Sequence, residues 1–131
     1  MRVIDTSVVV KWVVEEPGSD RAKLLIGEPL VAPDLLRGEL AHALSRRARE
    51  GVIDALDAFA GQRLAEETLV IVSSELLSHR GLELSLELGH SAGDCFFLAL
   101  AEKQATTFVT ADMAFVQKCR GRAYASLVEL L

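Results

Sequence analysis

Short apolar segments alternate with longer helical ones along the whole chain, and this alternation limits the fold more than any other feature. The predicted strands are Arg2–Ile4, Leu30–Ala32, Leu69–Val72 and Thr107–Val109, with Ala123–Ala125 as the candidate for a fifth, edge strand. Strands that alternate with helices indicate a parallel sheet with right-handed crossovers. We therefore predict an α/β fold in three layers, with a central parallel sheet of four or five strands flanked by helices.

The helical segments carry recognisable start and stop signals. One helix is expected from Pro33 to about Glu50, because Pro suits the first helical turn and Gly51 suits a C-cap. Ser91–Gln104 is apolar on most faces, so this helix is expected to be central. The remaining predicted helices are Val8–Val14, Ser19–Ile26, Asp54–Glu67, Ser74–Leu88 and Met113–Cys119.

The bulk properties restrict the class of protein. The length of 131 residues suits one domain spanning residues 1–131. The two cysteines have no metal-finger spacing, and no apolar run is long enough to span a membrane. We therefore expect a soluble cytoplasmic protein that does not contact the membrane. The net charge of −5 argues against simple electrostatic binding of nucleic acid, unless the carboxylates hold metal cations.

Four acidic residues fall where an α/β sheet binds ligands, which is beyond the carboxyl ends of its strands. Asp5 follows the first strand and Asp112 follows the strand at Thr107–Val109. Asp94 heads the apolar stripe of the central helix, and Glu39 borders the buried stripe of its own helix. The four side chains are therefore expected to face one cleft.

Each acid also has a purely structural interpretation. Asp5 and Asp112 suit helix N-caps, and Asp94 suits a capping box with Ser91. Glu39 suits a solvated helix position. Taken together, however, the four acids form a cluster of hard oxygen ligands that favours Mg²⁺ or Mn²⁺ over zinc.

The order of these motifs resembles that of the PIN-domain nucleases, and more narrowly of the VapC-type toxins of toxin–antitoxin pairs. The resemblance rests on Ile-Asp5-Thr-Ser, Pro33 with Glu39-Leu, Asp94-Cys-Phe-Phe-Leu-Ala-Leu-Ala and Thr110-Ala-Asp112-Met-Ala-Phe. These blocks span essentially the whole chain. Gly93 and Cys95 depart from the family pattern, and Gly93 is expected to alter the positioning of Asp94.

The resemblance implies a PIN fold and a Mg²⁺- or Mn²⁺-dependent endoribonuclease. The four acids match the family's acidic positions, with Asp5 and Asp94 expected as direct ligands. Thr110 matches the hydroxyl residue that supports the first Asp, and Ser7 matches a small polar position. The expected partners are an RNA substrate, a cognate antitoxin and a second copy of the chain in a homodimer.

Several other residues are candidates for binding or for packing. Arg46 is a candidate contact to RNA phosphate, whereas Arg47 and Arg49 are interpreted as a solvated helix end. Lys11 is compatible with either role, a contact to RNA phosphate or a solvated helix residue. Cys95 is predicted to pack in the core, and Trp12 is predicted to lie in the core or in an interface. The three histidines are predicted to be surface or packing residues; they are His42, His79 and His90.

Alternative functions remain open from the sequence. A receiver-like signalling domain also gathers acids at strand ends, but its third strand would end in Asp, and here Val72 is followed by Ser73 and Ser74. A catalytically silent PIN-fold module that engages a partner protein is a second alternative. A phosphatase or a DNA nuclease is also compatible with the acids, because carboxylates do not report whether a 2′-hydroxyl is recognised.

Overall fold

The central sheet has five strands, all parallel, in a computed structural model that describes residues 1–131. The strands, in the order β3-β2-β1-β4-β5, are β1 (Arg2–Ile4), β2 (Leu30–Pro33), β3 (Val70–Val72), β4 (Phe108–Thr110) and β5 (Val128–Leu130). Helices flank this sheet, as the alternation of strands and helices predicts. The predicted α/β fold with a central parallel sheet is therefore confirmed.

Seven α-helices connect the strands. They are α1 (Thr6–Val13), α2 (Ser19–Lys23), α3 (Leu35–Arg49), α4 (Ala55–Thr68), α5 (Ser78–Leu88), α6 (Ala92–Gln104) and α7 (Met113–Cys119). Short 3₁₀ turns at Glu75–Leu77 and Ala125–Leu127 precede α5 and β5. No helix is both long enough and apolar enough to cross a lipid bilayer.

Three predicted boundaries are wrong in an informative way. The last strand is Val128–Leu130, because residues 123–125 lead into a 3₁₀ turn before Val128 pairs with Phe108. Pro33 ends β2 beside Val72 instead of starting a helix, and the next backbone N–H, of Asp34, donates to the carbonyl of Val72. The helix from Ser19 ends at Lys23, ahead of Gly27, whose φ of +103° no helix accommodates.

Helix α6 lies in the middle of the hydrophobic core. Cys95, Phe97, Leu98 and Ala101 are completely buried there, and α6 contacts β1, β2 and β4. This central position agrees with its apolar sequence. Because α6 begins with Asp94 in its first turn, packing of its apolar residues fixes the position of that carboxylate relative to the sheet.

Pairing of β1 with β4 brings distant acidic residues to one edge of the sheet. Ile4 lies opposite Val109, and the backbone N–H of Asp5 donates to the carbonyl of Val109 over 2.9 Å. The next residues along each strand lead to Asp5 and Asp112. Their convergence therefore follows directly from the strand order.

Candidate metal centre

A cleft of about 410 Å³ opens at the carboxyl end of β1 and β4. All four predicted acidic residues line it, together with two polar residues of α1 and a group of basic side chains. The polar lining residues are Asp5, Thr6, Ser7, Lys11, Glu16, Glu39, Arg46, Arg47, Asp94 and Asp112. The structure thus brings the four acids to one cavity and not to separate surfaces.

Asp5 is the most deeply buried of these acids, with 4% of its surface exposed. It occupies the N-cap position of α1, yet its side chain caps no backbone N–H. Instead, Oδ2 accepts hydrogen bonds from Ser7 Oγ at 2.5 Å and from Thr110 Oγ1 at 3.1 Å. Both hydroxyls use the same oxygen, so Oδ1 has no protein donor among these bonds.

Ser7 and Thr110 are themselves fixed by the backbone. The N–H of Ala111 donates to Ser7 Oγ, and the N–H of Asp112 donates to Thr110 Oγ1, each over 3.1 Å. Because each hydroxyl accepts a backbone proton, its own proton is directed to Asp5. The two hydroxyls therefore hold the carboxylate of Asp5 in one orientation.

Burial, together with the negative charges in the cleft, raises the pKa of Asp5. Burial, followed by repulsion from Asp94, raises the pKa of Asp5 to about 7, and Glu39 adds to this repulsion. The hydroxyl hydrogen bonds from Ser7 and Thr110 lower the pKa but do not offset those effects. A divalent cation in the cleft would supply the missing positive charge.

Glu39 faces the cleft from α3 and is only partly exposed. Its Oε1 accepts a hydrogen bond from Thr6 Oγ1 at 2.8 Å, and burial, then repulsion from Asp94, raises the pKa of its carboxyl. Its Oε2 occupies the space beside Gly93, where an added Cβ would lie 2.8 Å from that oxygen. The departure at Gly93 therefore makes room for Glu39.

Asp94 is held by a residue that the sequence interpretation set aside. His90 Nε2 lies 2.5 Å from Oδ2 of Asp94, and Lys118 Nζ lies 3.1 Å from His90 Nδ1. An ammonium group only donates hydrogen bonds, so Nδ1 is the acceptor and Nε2 carries the ring proton. Nε2 therefore donates a hydrogen bond to Oδ2 of Asp94. The prediction of His90 as a surface or packing residue is incomplete, although its ring also packs at a tilt against the ring of Phe115.

Asp112 has a divided role. Its Oδ1 accepts the backbone N–H of Phe115 and so caps α7, as the structural interpretation of this residue expects. Its Oδ2 points to the other side and lies 3.8 Å from His90 Nε2. One carboxylate therefore serves both as a helix cap and as a wall of the cleft.

The structural interpretations of the other three acids do not hold. The side chain of Asp5 caps nothing, and the cap at Ser91 has no side-chain hydrogen bond, so no capping box forms with Asp94. Glu39 is hydrogen-bonded by Thr6 and not fully solvated. These carboxylates are left with oxygen atoms free for a ligand.

Three basic side chains also line the cleft, those of Lys11, Arg46 and Arg47. Glu16 accepts from Lys11 Nζ at 3.0 Å and from Arg47 at 3.1 Å. Arg47 is thus part of the cleft, and its prediction as a solvated residue is wrong. Arg46 also lines the cleft but is exposed, whereas Arg49 lies in a different, apolar groove.

The donor set fits a hard divalent cation. The four acids present carboxylate oxygens to the cleft, and Mg²⁺ and Mn²⁺ prefer such oxygen ligands. One group of three side chains already lies close together: ligand atoms of His90, Asp94 and Asp112 are all within 4.8 Å of one another. Asp5 and Glu39 line the same cleft outside that group.

The remaining predicted packing residues lie in the core or at the surface. Trp12 is buried, and its Nε1 donates to the carbonyl of Ala22. Cys95 is buried, and burial raises the pKa of its thiol to about 11, so it stays protonated and unreactive. His42 and His79 are exposed.

The family model described as "PIN domain" matches residues 2–121. The chain belongs to the PIN domain family. This membership is at odds with the receiver-like alternative, and the end of β3 lacks the Asp that such a domain requires.

Solved structures share the fold of this PIN domain at low sequence identity. PAE2754 from Pyrobaculum aerophilum is 20% identical, with a TM-score of 0.72 over 92% of this chain and 80% of that one. A toxin–antitoxin complex from Klebsiella pneumoniae is 15% identical, with a TM-score of 0.70 over 98% and 96% of the two chains. VapBC2 from Rickettsia felis, bound to a DNA fragment from its promoter, is 15% identical, with a TM-score of 0.69 over 98% and 97%. No curated protein sequence matches this chain.

Proposed function

We propose that this PIN domain is a metal-dependent endoribonuclease that hydrolyses RNA phosphodiester bonds, and that it is the toxin of a toxin–antitoxin pair. The observation that carries the proposal is the convergence of four carboxylates on one cleft, with Asp5 buried and repelled by two of the others. Such an arrangement is unfavourable without a cation. Family membership supports a hydrolase that acts on nucleic acid.

We assign the cation to Asp5 and Asp94, with Glu39 and Asp112 contributing directly or through water. Bound there, Mg²⁺ or Mn²⁺ supplies Lewis acidity, which makes water a better nucleophile and neutralises charge on the phosphate. Thr110 and Ser7 orient Asp5, and Thr6 orients Glu39. His90 donates to Oδ2 of Asp94 and so leaves the other oxygen of that carboxylate available to a ligand.

The partners of the chain are part of the same proposal. The neighbours described as a toxin–antitoxin complex and as VapBC2 support a cognate antitoxin as the partner of this chain. We further propose that residues 1–131 act as one PIN domain and that two copies form a homodimer. RNA is preferred over DNA as the substrate on the strength of the resemblance to VapC-type toxins.

Cleavage of RNA with different metals tests the proposal. Total cellular RNA and a single-stranded DNA of mixed sequence are incubated with the chain in Mg²⁺, Mn²⁺ or chelator. We expect fragments of RNA in either metal and none in chelator. Asp94→Asn should remove this activity, whereas Asp20→Asn, at an exposed position of α2, should retain it.

Three results would overturn the proposal or part of it. Cleavage that persists in chelator, or equally in Asp94→Asn, would exclude catalysis by this carboxylate cluster. A well-folded chain that cleaves neither substrate in either metal would favour the silent PIN-fold module that engages a partner protein. Cleavage of DNA alone would keep the metal centre but exclude RNA as the substrate.

A further inference from the structure

A pair of cationic side chains, Lys11 and Arg47, lines the same cleft as the acidic residues. Lys11 Nζ and Arg47 are both bound by the carboxylate of Glu16, one on each oxygen. Lys11 follows Ser7 by one helical turn on α1, and Arg47 follows Glu39 by roughly 12 Å along α3. This group is therefore next to the acidic centre but separate from it.

Glu16 is held in place by the turn that precedes α2. Its backbone N–H donates to Ser19 Oγ at 3.0 Å, and that hydroxyl donates to the carbonyl of Val14 at 2.9 Å. Ser19 is 3% exposed, so this turn is anchored in the protein interior. Glu16 therefore holds Lys11 and Arg47 side by side from a fixed position.

The pair retains unused hydrogen-bond donors. An ammonium group has three N–H donors and a guanidinium has five, but Glu16 takes only one from each. Arg47 Nε is buried and has no acceptor, which is uncommon for a buried polar group. The two cations outweigh the single carboxylate between them, so the group carries a local charge of +1.

The chemistry of these donors selects an oxyanion. Arginine and lysine bind phosphate oxygens through charge-assisted hydrogen bonds. A carboxylate ligand already occupies one side of the pair, and the rest of the cleft is strongly acidic. A polyanion is repelled by a chain whose net charge is −5. It therefore needs a local positive contact, such as this pair, in order to bind.

We propose that Lys11 and Arg47, held by Glu16, form a binding subsite for a backbone phosphate that neighbours the phosphate to be cleaved. This inference rests on the proposed nuclease function and identifies where the flanking strand is held. The subsite positions the strand relative to the carboxylates and takes no part in bond cleavage. Single-stranded nucleic acid is the ligand class.

Binding of a fluorescein-labelled single-stranded RNA, followed by fluorescence anisotropy, tests the subsite without relying on activity. The titration is done with Ca²⁺ and again in chelator, at several salt concentrations. We expect Lys11→Met and Arg47→Met each to weaken binding roughly ten-fold. Each should also reduce the slope of log affinity against log salt by about 0.7.

Matched variants separate a local contact from a change in overall charge. Lys103→Met and Arg63→Met remove the same charges at exposed positions outside the cleft and should change binding less than roughly two-fold. Lys11→Arg should retain most of the affinity. The double variant Lys11→Met/Glu16→Gln restores the net charge of the chain, and it should still bind roughly ten-fold more weakly than the wild type.

The outcomes distinguish this inference from the proposed function. The subsite is overturned if the cleft variants bind like the distant ones, if the double variant regains wild-type affinity, or if the wild type binds RNA in neither condition. Metal-dependent RNA cleavage alongside any of these results would leave the nuclease proposal standing. Loss of binding in the cleft variants of a chain that cleaves nothing would support the subsite and exclude the nuclease.

Discussion

The hydroxyl of Thr110 donates to Oδ2 of Asp5 over 3.1 Å and joins the ends of two neighbouring strands. The same hydroxyl accepts the backbone N–H of Asp112. Thr110 is completely buried, so no water replaces either bond. One small side chain thus fixes the positions of two of the acids that line the cleft.

Thr110→Val keeps the shape of this side chain and removes its hydroxyl. We expect the affinity for Mn²⁺ to fall roughly ten-fold, because Asp5 loses a donor that orients it. The free energy of unfolding should fall by about 1–2 kcal/mol, because the N–H of Asp112 loses its acceptor. Thr107→Val, which lies outside the cleft, is the control. Unchanged Mn²⁺ affinity in Thr110→Val would contradict the proposal that Thr110 orients Asp5.

Asp5→Asn separates stability from activity. The variant should lose roughly 100-fold or more of RNA cleavage, because the cation loses a charged ligand. In chelator it should be more stable than the wild type at pH 8, because a buried negative charge is removed. Urea unfolding and RNA cleavage measured on the same samples check both directions, and a variant less stable than the wild type at pH 8 would contradict the expected repulsion.

The stability of the metal-free protein should depend on pH through Asp5. Its pKa in the folded chain is about 7, above the ordinary value of 3.8, so the folded state binds this proton more tightly. The resulting stabilisation is complete below pH 4 and disappears as the pH rises through 7. The span of about three pH units corresponds to up to about 4 kcal/mol. The stability difference between Asp5→Asn and wild type should therefore grow over this range.

The sequence predicts the parallel sheet and the convergence of the four acids on one cleft, because both follow from strands that alternate with helices. Apolar strands alternating with helices require a parallel sheet, and β1 beside β4 then places Asp5 near Asp112. The role of His90 is not predicted, because it depends on Lys118 reaching across from α7 to fix the tautomer of the ring. The one local signal was the spacing of four residues between His90 and Asp94.

His90→Leu removes the donor that orients Asp94. We expect Mn²⁺ affinity to fall roughly ten-fold and the Michaelis constant for the metal to rise accordingly, with kcat at saturating metal changed less. Lys118→Met should have a smaller effect, since it removes only the contact that fixes the tautomer of His90. His79→Leu, at an exposed position, should be neutral. A His90→Leu variant that binds Mn²⁺ as the wild type does would show that Asp94 needs no orienting donor.

Gly93→Ala should disturb the site although it lies in a helix. Alanine normally stabilises a helix by up to about 1 kcal/mol relative to glycine, but the new Cβ would lie 2.8 Å from Oε2 of Glu39. We expect Glu39 to be displaced and Mn²⁺ affinity to fall. Isothermal titration with Mn²⁺ measures the change.

Two further variants control for the helix effect. Gly38→Ala, where an added Cβ meets nothing within 4 Å, should stabilise the chain without changing Mn²⁺ affinity. Glu39→Asp shortens the acid, so adding it to Gly93→Ala should recover part of the lost affinity. If Gly93→Ala and Gly38→Ala behave alike, the space beside Glu39 is not important for the metal centre.

The contacts of the basic residues are an example of what sequence patterns do not predict. Arg46 and Arg47 are adjacent on α3 and both line the cleft, but the sequence offers only Arg46 as a candidate contact to RNA phosphate. The partner that distinguishes them is Glu16, which binds Arg47 from a turn between α1 and α2. Because that turn is distant along the chain, no local periodicity indicates the pairing.

The most direct test of the account is the position of a bound cation. Crystals of the protein soaked in Mn²⁺ reveal the ion by its anomalous scattering. We predict a peak in the cleft with carboxylate oxygens of Asp5 and Asp94 at roughly 2.1 Å, the distance typical of a small divalent ion. An empty cleft at high Mn²⁺, or an ion bound by His90 and Asp112 with Asp5 out of reach, would contradict it.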